Sequence, residues 1–220
     1  MLFTDRHEAG RRLAKRLLAL KDKRPVVLAL PRGGVPVGFE IARALAAPLD
    51  LVLVRKIGVP QQEEFALGAV ADGEHPELVV DQGLMDSLDI SPEYLEATKS
   101  AALQEIERRR RVYLGDRHPV DVAGCTAIVV DDGIATGATM LAALRATRRR
   151  GPARLVIAVP VAPGDTLERL RGEADETVCL DTPADFFAVG QFYREFPQLR
   201  DAEVVALLDQ ARAFIRSDHT

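Results

Sequence analysis

With 220 residues, 47% of them apolar and 28% charged, the chain has the make-up of one globular α/β-sized domain with a substantial core. Its net charge of −4 and pI of about 5.7 argue against a global basic field of the kind that nucleic acid or an anionic membrane surface selects. No apolar run is long enough to span a bilayer, the N-terminus lacks a signal-peptide layout, and two isolated cysteines (Cys125, Cys179) with four scattered histidines form neither a disulfide framework nor metal-ligand spacing, so a reducing cytoplasm is the expected compartment.

In chain order, Asp5-x-x-Glu8 reads as a capping box that opens a helix to about Lys21, with Leu13, Leu17, Leu18 and Leu20 as its packing face and scaffold as its role. Pro25–Leu30 is a continuous apolar run, the first buried strand. It ends in Pro31-Arg32-Gly33-Gly34, followed by a helical stretch over Phe39–Leu45. Glycines between strand and helix let backbone come close to a phosphate, and Arg32 adds a forked donor. The spacing is neither a dinucleotide fingerprint nor a Walker loop, and a plain strand–helix turn is the alternative. Leu49–Val54 is the second buried strand and runs into Arg55-Lys56, a cation pair that suits a polyanion or simply a solvated strand end. Gln61-Gln62-Glu63-Glu64 is polar and turn-like, and Phe65–Ala71 and Glu77–Val80 are further strands.

From Asp81 the texture becomes helical. Ser91-Pro92-Glu93 combines an N-cap, a proline at the first position and an acid, and the helix it opens runs to about Tyr113 with Leu95, Ala102, Ile106 and Tyr113 along one face. The basic run Arg108–Arg111 is matched by Glu105 and Glu107 four residues before Arg109 and Arg111, ion pairs worth roughly 0.2–0.5 kcal/mol each, so it reads as a solvated helix face. Residues 81–118 form a helical insertion to which no purpose attaches.

The stretch Ala127–Met140 carries the most chemistry. Ile128–Val130 is a buried strand, Asp131 and Asp132 follow where a parallel strand emerges from its sheet, and Ala135, Thr136, Gly137, Ala138 and Thr139 lead into a helix over Ala138–Arg149. A small-residue loop at a helix start presents backbone N–H groups and the positive end of the helix dipole, a seat for phosphate. Two adjacent carboxylates accept hydrogen bonds from sugar hydroxyls or steady a hydrated Mg²⁺. The combination is that of a sugar-phosphate site, with an ordinary Asp-Asp-Gly turn and Thr cap as the alternative.

Strands over Arg154–Val159 and Thr177–Leu180, a short helix over Asp165–Arg171 and a last helix over Asp201–Ile215 complete the alternation. The expected fold is α/β: one domain (1–220) built on a doubly wound parallel sheet, a Rossmann-like α/β/α sandwich, with the 81–118 insertion and a small hood at 181–200. Pro183–Tyr193 concentrates aromatics in a chain that has only 5% of them; Phe186 and Phe192 read as a small core, and Phe187 with Val189 as a weaker base-binding candidate.

An apolar strand, two acids, three variable residues and Thr-Gly-x-Thr resemble the 5-phosphoribosyl-1-pyrophosphate (PRPP) motif of type I phosphoribosyltransferases, and Pro31–Gly34 resembles the pyrophosphate loop of the same family. The resemblance covers most of residues 25–193. It implies a Mg²⁺-dependent transferase of nucleotide metabolism that moves ribose 5-phosphate from PRPP to a nitrogen of a nucleobase-like molecule and releases pyrophosphate. Carried over by motif, Asp131 and Asp132 hold the ribose hydroxyls and the metal; Ala135, Thr136, Gly137, Ala138 and Thr139 bind the 5′-phosphate. Arg32, Gly33, Gly34, Arg55 and Lys56 bind pyrophosphate, with Asp131, Asp132, Arg32 and Lys56 as the catalytic set. Residues 57–66 match a loop that closes over PRPP, where Glu63 and Glu64 are a solvated pair or, alternatively, a proton acceptor. PRPP and a nucleobase-like molecule are the implied partners, with no nucleic acid or membrane expected and a homodimer among the assemblies allowed. Oxopurine enzymes place an acid at the position of Ala135 and a lysine before the aromatic hood; this chain has no lysine after Lys99, so adenine-like acceptors are favoured. Two alternatives remain: a regulatory PRPP or nucleotide sensor of the same fold, and a sugar-phosphate hydrolase.

Overall fold

The computed structural model describes residues 1–60, 62–72 and 76–216, with backbone alone for 62–66 and 214–216. The elements run α1 (Arg6–Leu17), β1 (Pro25–Ala29), α2 (Gly34–Leu45), β2 (Leu49–Leu51), β3 (Val54–Val59), β4 (Gln62–Ala71), β5 (Glu77–Val80), α3 (Gln82–Ser87), α4 (Pro92–Leu114), β6 (Thr126–Val130), α5 (Ala138–Arg149), β7 (Arg154–Val161), α6 (Gly164–Leu170), β8 (Glu176–Asp181) and α7 (Asp201–Arg216). Five strands form a parallel sheet in the order β2-β1-β6-β7-β8, so the winding reverses between β1 and β6. In open α/β sheets the crevice at such a reversal is where ligands bind.

The central strands are buried on both faces, as their unbroken apolar runs dictate. Alternate residues point to opposite layers. Val27, Ile128 and Val156 pack against α1 and α2 through Leu13, Leu17, Ile41 and Leu45. Val26, Leu28, Val129 and Ile157 pack against α5 and α6 through Met140, Leu144 and Leu170. Each fully buried aliphatic side chain contributes about 1.5–3 kcal/mol, so this sandwich is the main source of stability.

Three strands stand apart from this sheet. β3, β4 and β5 form a separate antiparallel sheet, and the apolar run expected as one strand over Leu49–Val54 is divided between the two. Ala69 and Ala71 meet Ala142 and Ala146, so the small sheet docks on α5 through alanines. Its other face is covered by α4, with α7 packed on α4 and α2, so that Ile57, Leu67 and Val70 join Ala102, Ile106, Tyr113, Val204 and Leu208 in one core. The 81–118 segment is thus helical over α3 and α4 and is tied into that core rather than projecting from the domain.

Candidate functional site

β1 and β6 lie side by side and in register, Ala29 opposite Val130, so the loops that leave them are neighbours. Leu30 N–H donates to the Val130 carbonyl at 2.8 Å, which carries the pairing one residue into the first loop. That loop, Pro31–Gly34, contains a cis peptide between Pro31 and Arg32. It fits tightly under the acid loop: a Cβ on Gly33 would lie 2.0 Å from Asp132 Oδ2, and one on Gly34 2.5 Å from the Val130 carbonyl oxygen. At Gly34 the obstacle is backbone and glycine is required; at Gly33 it is the Asp132 carboxylate, which a side chain there would displace.

Asp131 and Asp132 extend from β6 at the reversal, as the motif leads one to expect. Asp132 N–H donates to Asp131 Oδ1 at 2.8 Å. Removal from water and the neighbouring Asp132 charge push the Asp131 carboxyl well above its ordinary range, while the Lys56 ammonium opposes the shift. Burial also raises Asp132, but there the Arg6 guanidinium, whose Nε donates to Oδ2 at 2.7 Å, counteracts it. Of the two, Asp131 is the acid held nearer to its neutral form.

Beyond the acids, Gly137 takes a left-handed conformation (φ 84°) and opens α5. The carbonyls of the loop are drawn backwards onto α6: Thr166 Oγ1 donates to the Ala135 carbonyl at 2.9 Å and Arg169 to the Thr136 carbonyl at 3.3 Å. With the carbonyls so occupied, Ala135 and Thr136 are exposed and Gly137, Ala138 and Thr139 half-buried. No bond among the described residues ties up the N–H groups of Ala135, Thr136 or Gly137, and the first turn of α5 leaves its own without intrahelical partners. Open N–H groups at a helix start with the dipole behind them form an anion seat.

Arg32 reaches towards Asp201 at the start of α7, its guanidinium 3.7 Å from Oδ1, and the Tyr113 hydroxyl at the end of α4 donates to the same Oδ1 at 2.7 Å. Burial and this acceptor push the Tyr113 phenol up to about 12. Lys56 is exposed on β3, close enough for its charge to act on Asp131. The expectation that Arg55 and Lys56 end a strand of the parallel sheet is corrected: both lie inside antiparallel β3, opposite Val70 and Ala69, and no contact of the described residues carries Arg55 to the acids. The side chains of Glu63 and Glu64 lie outside the described residues.

In the hood, Phe186 packs on Phe192 with ring centroids 5.3 Å apart, the core pairing expected of them. Val189 covers the acid loop, where a Cβ on Gly133 would meet its methyl at 2.6 Å. Phe187 is 89% exposed. No motif points to Arg6, Tyr193 or Phe196, which close the site from the chain's two ends: the Tyr193 hydroxyl donates to the Asp132 carbonyl at 2.6 Å, and Arg6 lies 3.7 Å over the Phe196 ring. An arginine in the first turn of a helix, where the dipole disfavours cations, is the one signal that could have singled out Arg6.

Parallel strands reversing between β1 and β6, with a glycine loop on one and an acid-bearing anion seat on the other, define an α/β domain of the type I phosphoribosyltransferase kind. The chain belongs to the phosphoribosyl transferase domain family, whose model it matches over residues 4–196. It is similar to Rv0571c of Mycobacterium tuberculosis H37Rv, a protein provisionally named a phosphoribosyl transferase, with 49% identity over 210 residues, 96% of this chain and 47% of that protein. The counterpart in strain CDC 1551, MT0597, matches equally. The chain spans about half the length of these curated relatives. Among solved structures it is similar to TT1426 from Thermus thermophilus, at 44% identity and a TM-score of 0.77, over 96% of this chain and 99% of that one. No helix among the described residues is long and apolar enough to cross a membrane.

Proposed function

We propose that the domain is a Mg²⁺-dependent phosphoribosyltransferase that takes PRPP and a nitrogen heterocycle, adenine-like rather than oxopurine, and releases pyrophosphate. The observation that supports this most is the meeting of the Asp131–Asp132 pair, the open N–H groups of 135–137 and the Gly33–Gly34 loop at one reversal of the sheet. A sugar 5′-phosphate seated on Ala135–Thr139 brings the ribose hydroxyls over the acids and the pyrophosphate towards Arg32 and Lys56. As the bond to pyrophosphate loosens, positive charge grows at the sugar carbon beside the carboxylates and negative charge on the leaving group beside the cations. Fixed charges placed where charge develops lower the barrier more than any single base would.

Among the described residues no group of three or more His, Cys, Asp or Glu forms a metal cage. Two carboxylates at the edge of an anion seat nonetheless suit Mg²⁺, which is held by one or two carboxylates together with waters and substrate oxygens. Asp131 and Asp132 would hold it, and when bound it supplies charge neutralisation of the pyrophosphate.

The decisive experiment follows pyrophosphate release from PRPP and Mg²⁺ across a panel of nucleobases. Release that depends on one base supports the transferase; release without any base transfers the assignment to a hydrolase. Tight PRPP binding with no turnover for any base supports a sensor.

A further inference from the structure

Asp132 is held from several sides at once. Its Oδ2 accepts from Arg6 Nε at 2.7 Å, its backbone carbonyl accepts from the Tyr193 hydroxyl at 2.6 Å, and its carboxylate rests on Gly33, where a Cβ would come within 2.0 Å. Arg6, which holds it, lies 126 residues away in sequence, in the first turn of α1. It is equally constrained. A second nitrogen donates to the Pro197 carbonyl at 2.9 Å, and the guanidinium carbon stands 3.7 Å from the Phe196 ring centroid, whose ring stacks on Tyr193 at 5.0 Å. The bridge is sheltered, with side chains only 10% and 13% exposed.

A sheltered ion pair is a poor way to stabilise a helix, since a well-packed apolar pair commonly does as well or better. What an ion pair with four further restraints does supply is a fixed direction for the carboxylate. Oδ2 faces Arg6 on α1, whereas Oδ1 accepts nothing from a described N–H group, and the neighbouring Asp131 carboxylate takes the Asp132 backbone N–H on its own Oδ1 at 2.8 Å. Among the described residues, Arg6 on α1 acts on Asp132 and Lys56 on β3 on Asp131, while the Tyr193 phenol bonds the Asp132 carbonyl and itself feels both acids, Arg6 and Asp5.

We infer that Arg6 is a positioning residue of the sugar-phosphate site: it holds the Asp132 carboxylate by one oxygen so that the other stands with Asp131 to accept ribose hydroxyls. The N-terminal helix, expected only as scaffold, thereby becomes part of the site, and the hood orients the acid pair through Phe196 and Tyr193. This role rests on the ribose-binding reading of the acid pair given above. It also sets the two acids apart, because Asp132 is restrained by the protein and Asp131 is the freer partner.

The test titrates the full chain and its Arg6→Gln and Arg6→Lys variants by calorimetry against PRPP, ribose 5-phosphate and inorganic pyrophosphate, with Mg²⁺ left out so that no metal on the acid pair links pyrophosphate to Asp132. Arg6→Gln is expected to weaken PRPP and ribose 5-phosphate roughly ten- to a hundredfold, the range for a lost charge-assisted contact, while pyrophosphate binding stays unchanged. Arg6→Lys, which keeps the charge, is expected to recover part of the loss. A merely structural Arg6 would lower thermal stability and leave ribose 5-phosphate affinity untouched, or weaken both ligands alike; either result overturns the role. If Arg6→Gln does not fold, Phe196→Leu, which removes the stack and keeps the arginine, must show the same selective loss on a smaller scale, and an unselective one overturns the role. A wild-type chain that binds neither PRPP nor ribose 5-phosphate refutes the phosphoribosyl reading itself, and the role of Arg6 falls with it.

Discussion

Replacing Gly33 by alanine isolates a single contact of the site. Gly33 has ordinary right-handed backbone angles (φ −59°, ψ −37°), so a side chain there carries no conformational penalty, and the whole effect comes from what the new methyl meets. It meets the Asp132 carboxylate, 2.0 Å from Oδ2 and 2.4 Å from Cγ. Ordinary carbon contacts are about 3.5 Å, so the carboxylate must retreat by roughly 1 Å or more. A 2.7 Å hydrogen bond to Arg6 does not survive that movement. Losing a hydrogen bond to a charged group costs about 1.5–3 kcal/mol, which for a chain of this size lowers the melting temperature by roughly 3–12 °C. PRPP affinity should fall as well, because the displaced carboxylate no longer faces the ribose. Thermal unfolding and PRPP calorimetry measure the two effects, with Gly164→Ala as the control, since a Cβ there meets nothing within 4 Å. Unchanged melting and unchanged PRPP affinity in Gly33→Ala would refute the tight coupling of the two loops.

Thr166→Val removes the bond that turns the Ala135 carbonyl back onto α6. Phosphate and ribose 5-phosphate binding should weaken severalfold with a stability loss of about 1 kcal/mol, and equal affinity in calorimetry would show that the loop holds its shape without α6. Tyr113→Phe leaves Asp201 to Arg32 alone. Pyrophosphate affinity should change while ribose 5-phosphate affinity does not, and the reverse pattern would remove α4 from any part in the site. Asp131→Asn removes a carboxyl whose folded pKa is raised, by burial first and by Asp132 second. A raised carboxyl destabilises the fold above its folded pKa and has no effect below its unfolded value of about 3.8, so the variant should melt higher than wild type at neutral pH, with the gain vanishing as pH falls towards 4. Its PRPP binding should be lost over the whole range, and a variant that melts lower at pH 7 would contradict the burial of this acid.

Where the relevant interaction is local, the structure follows the sequence pattern. The run Ile128–Val130 followed by two acids and a small-residue loop places a strand, a pair of carboxylates and a helix start within fifteen residues, and each is where the pattern puts it. The same holds for the Ser91 cap, whose hydroxyl accepts from Tyr94 N–H, and for the α5 boundaries. Asp5 likewise caps α1 through Glu8 N–H, although Glu8 returns to the Thr4 N–H instead of completing the box on Asp5. Where the partner is remote, the pattern is silent. Leu49–Val54 is evenly apolar, and nothing within it tells that Leu51 ends a parallel strand and Val54 begins an antiparallel one; that division is set by β1 on one side and β4 on the other. Arg55 and Lys56 go with Val54 into the antiparallel sheet. Leu18 is 52% exposed because α1 gives way to a 3₁₀ turn there and the face rotates out.

The remote contacts are also the ones that turn a sugar-phosphate motif into a closed site. Asp132 is oriented from residue 6 and residue 193, and Arg32 is met by residues 113 and 201 through a shared carboxylate. In the proposed reading the motif residues supply the chemistry, and elements that look like scaffold supply the directions in which it acts. Two consequences distinguish this from a site carried by its motifs alone. Substitutions at Arg6, Tyr193 or Phe196 should change ribose affinity without touching a motif residue, and substitutions at Tyr113 or Asp201 should do the same for pyrophosphate. If the two groups instead affected both ligands equally, stability alone would connect them to function, and the division of the site into a ribose side and a pyrophosphate side would have no basis.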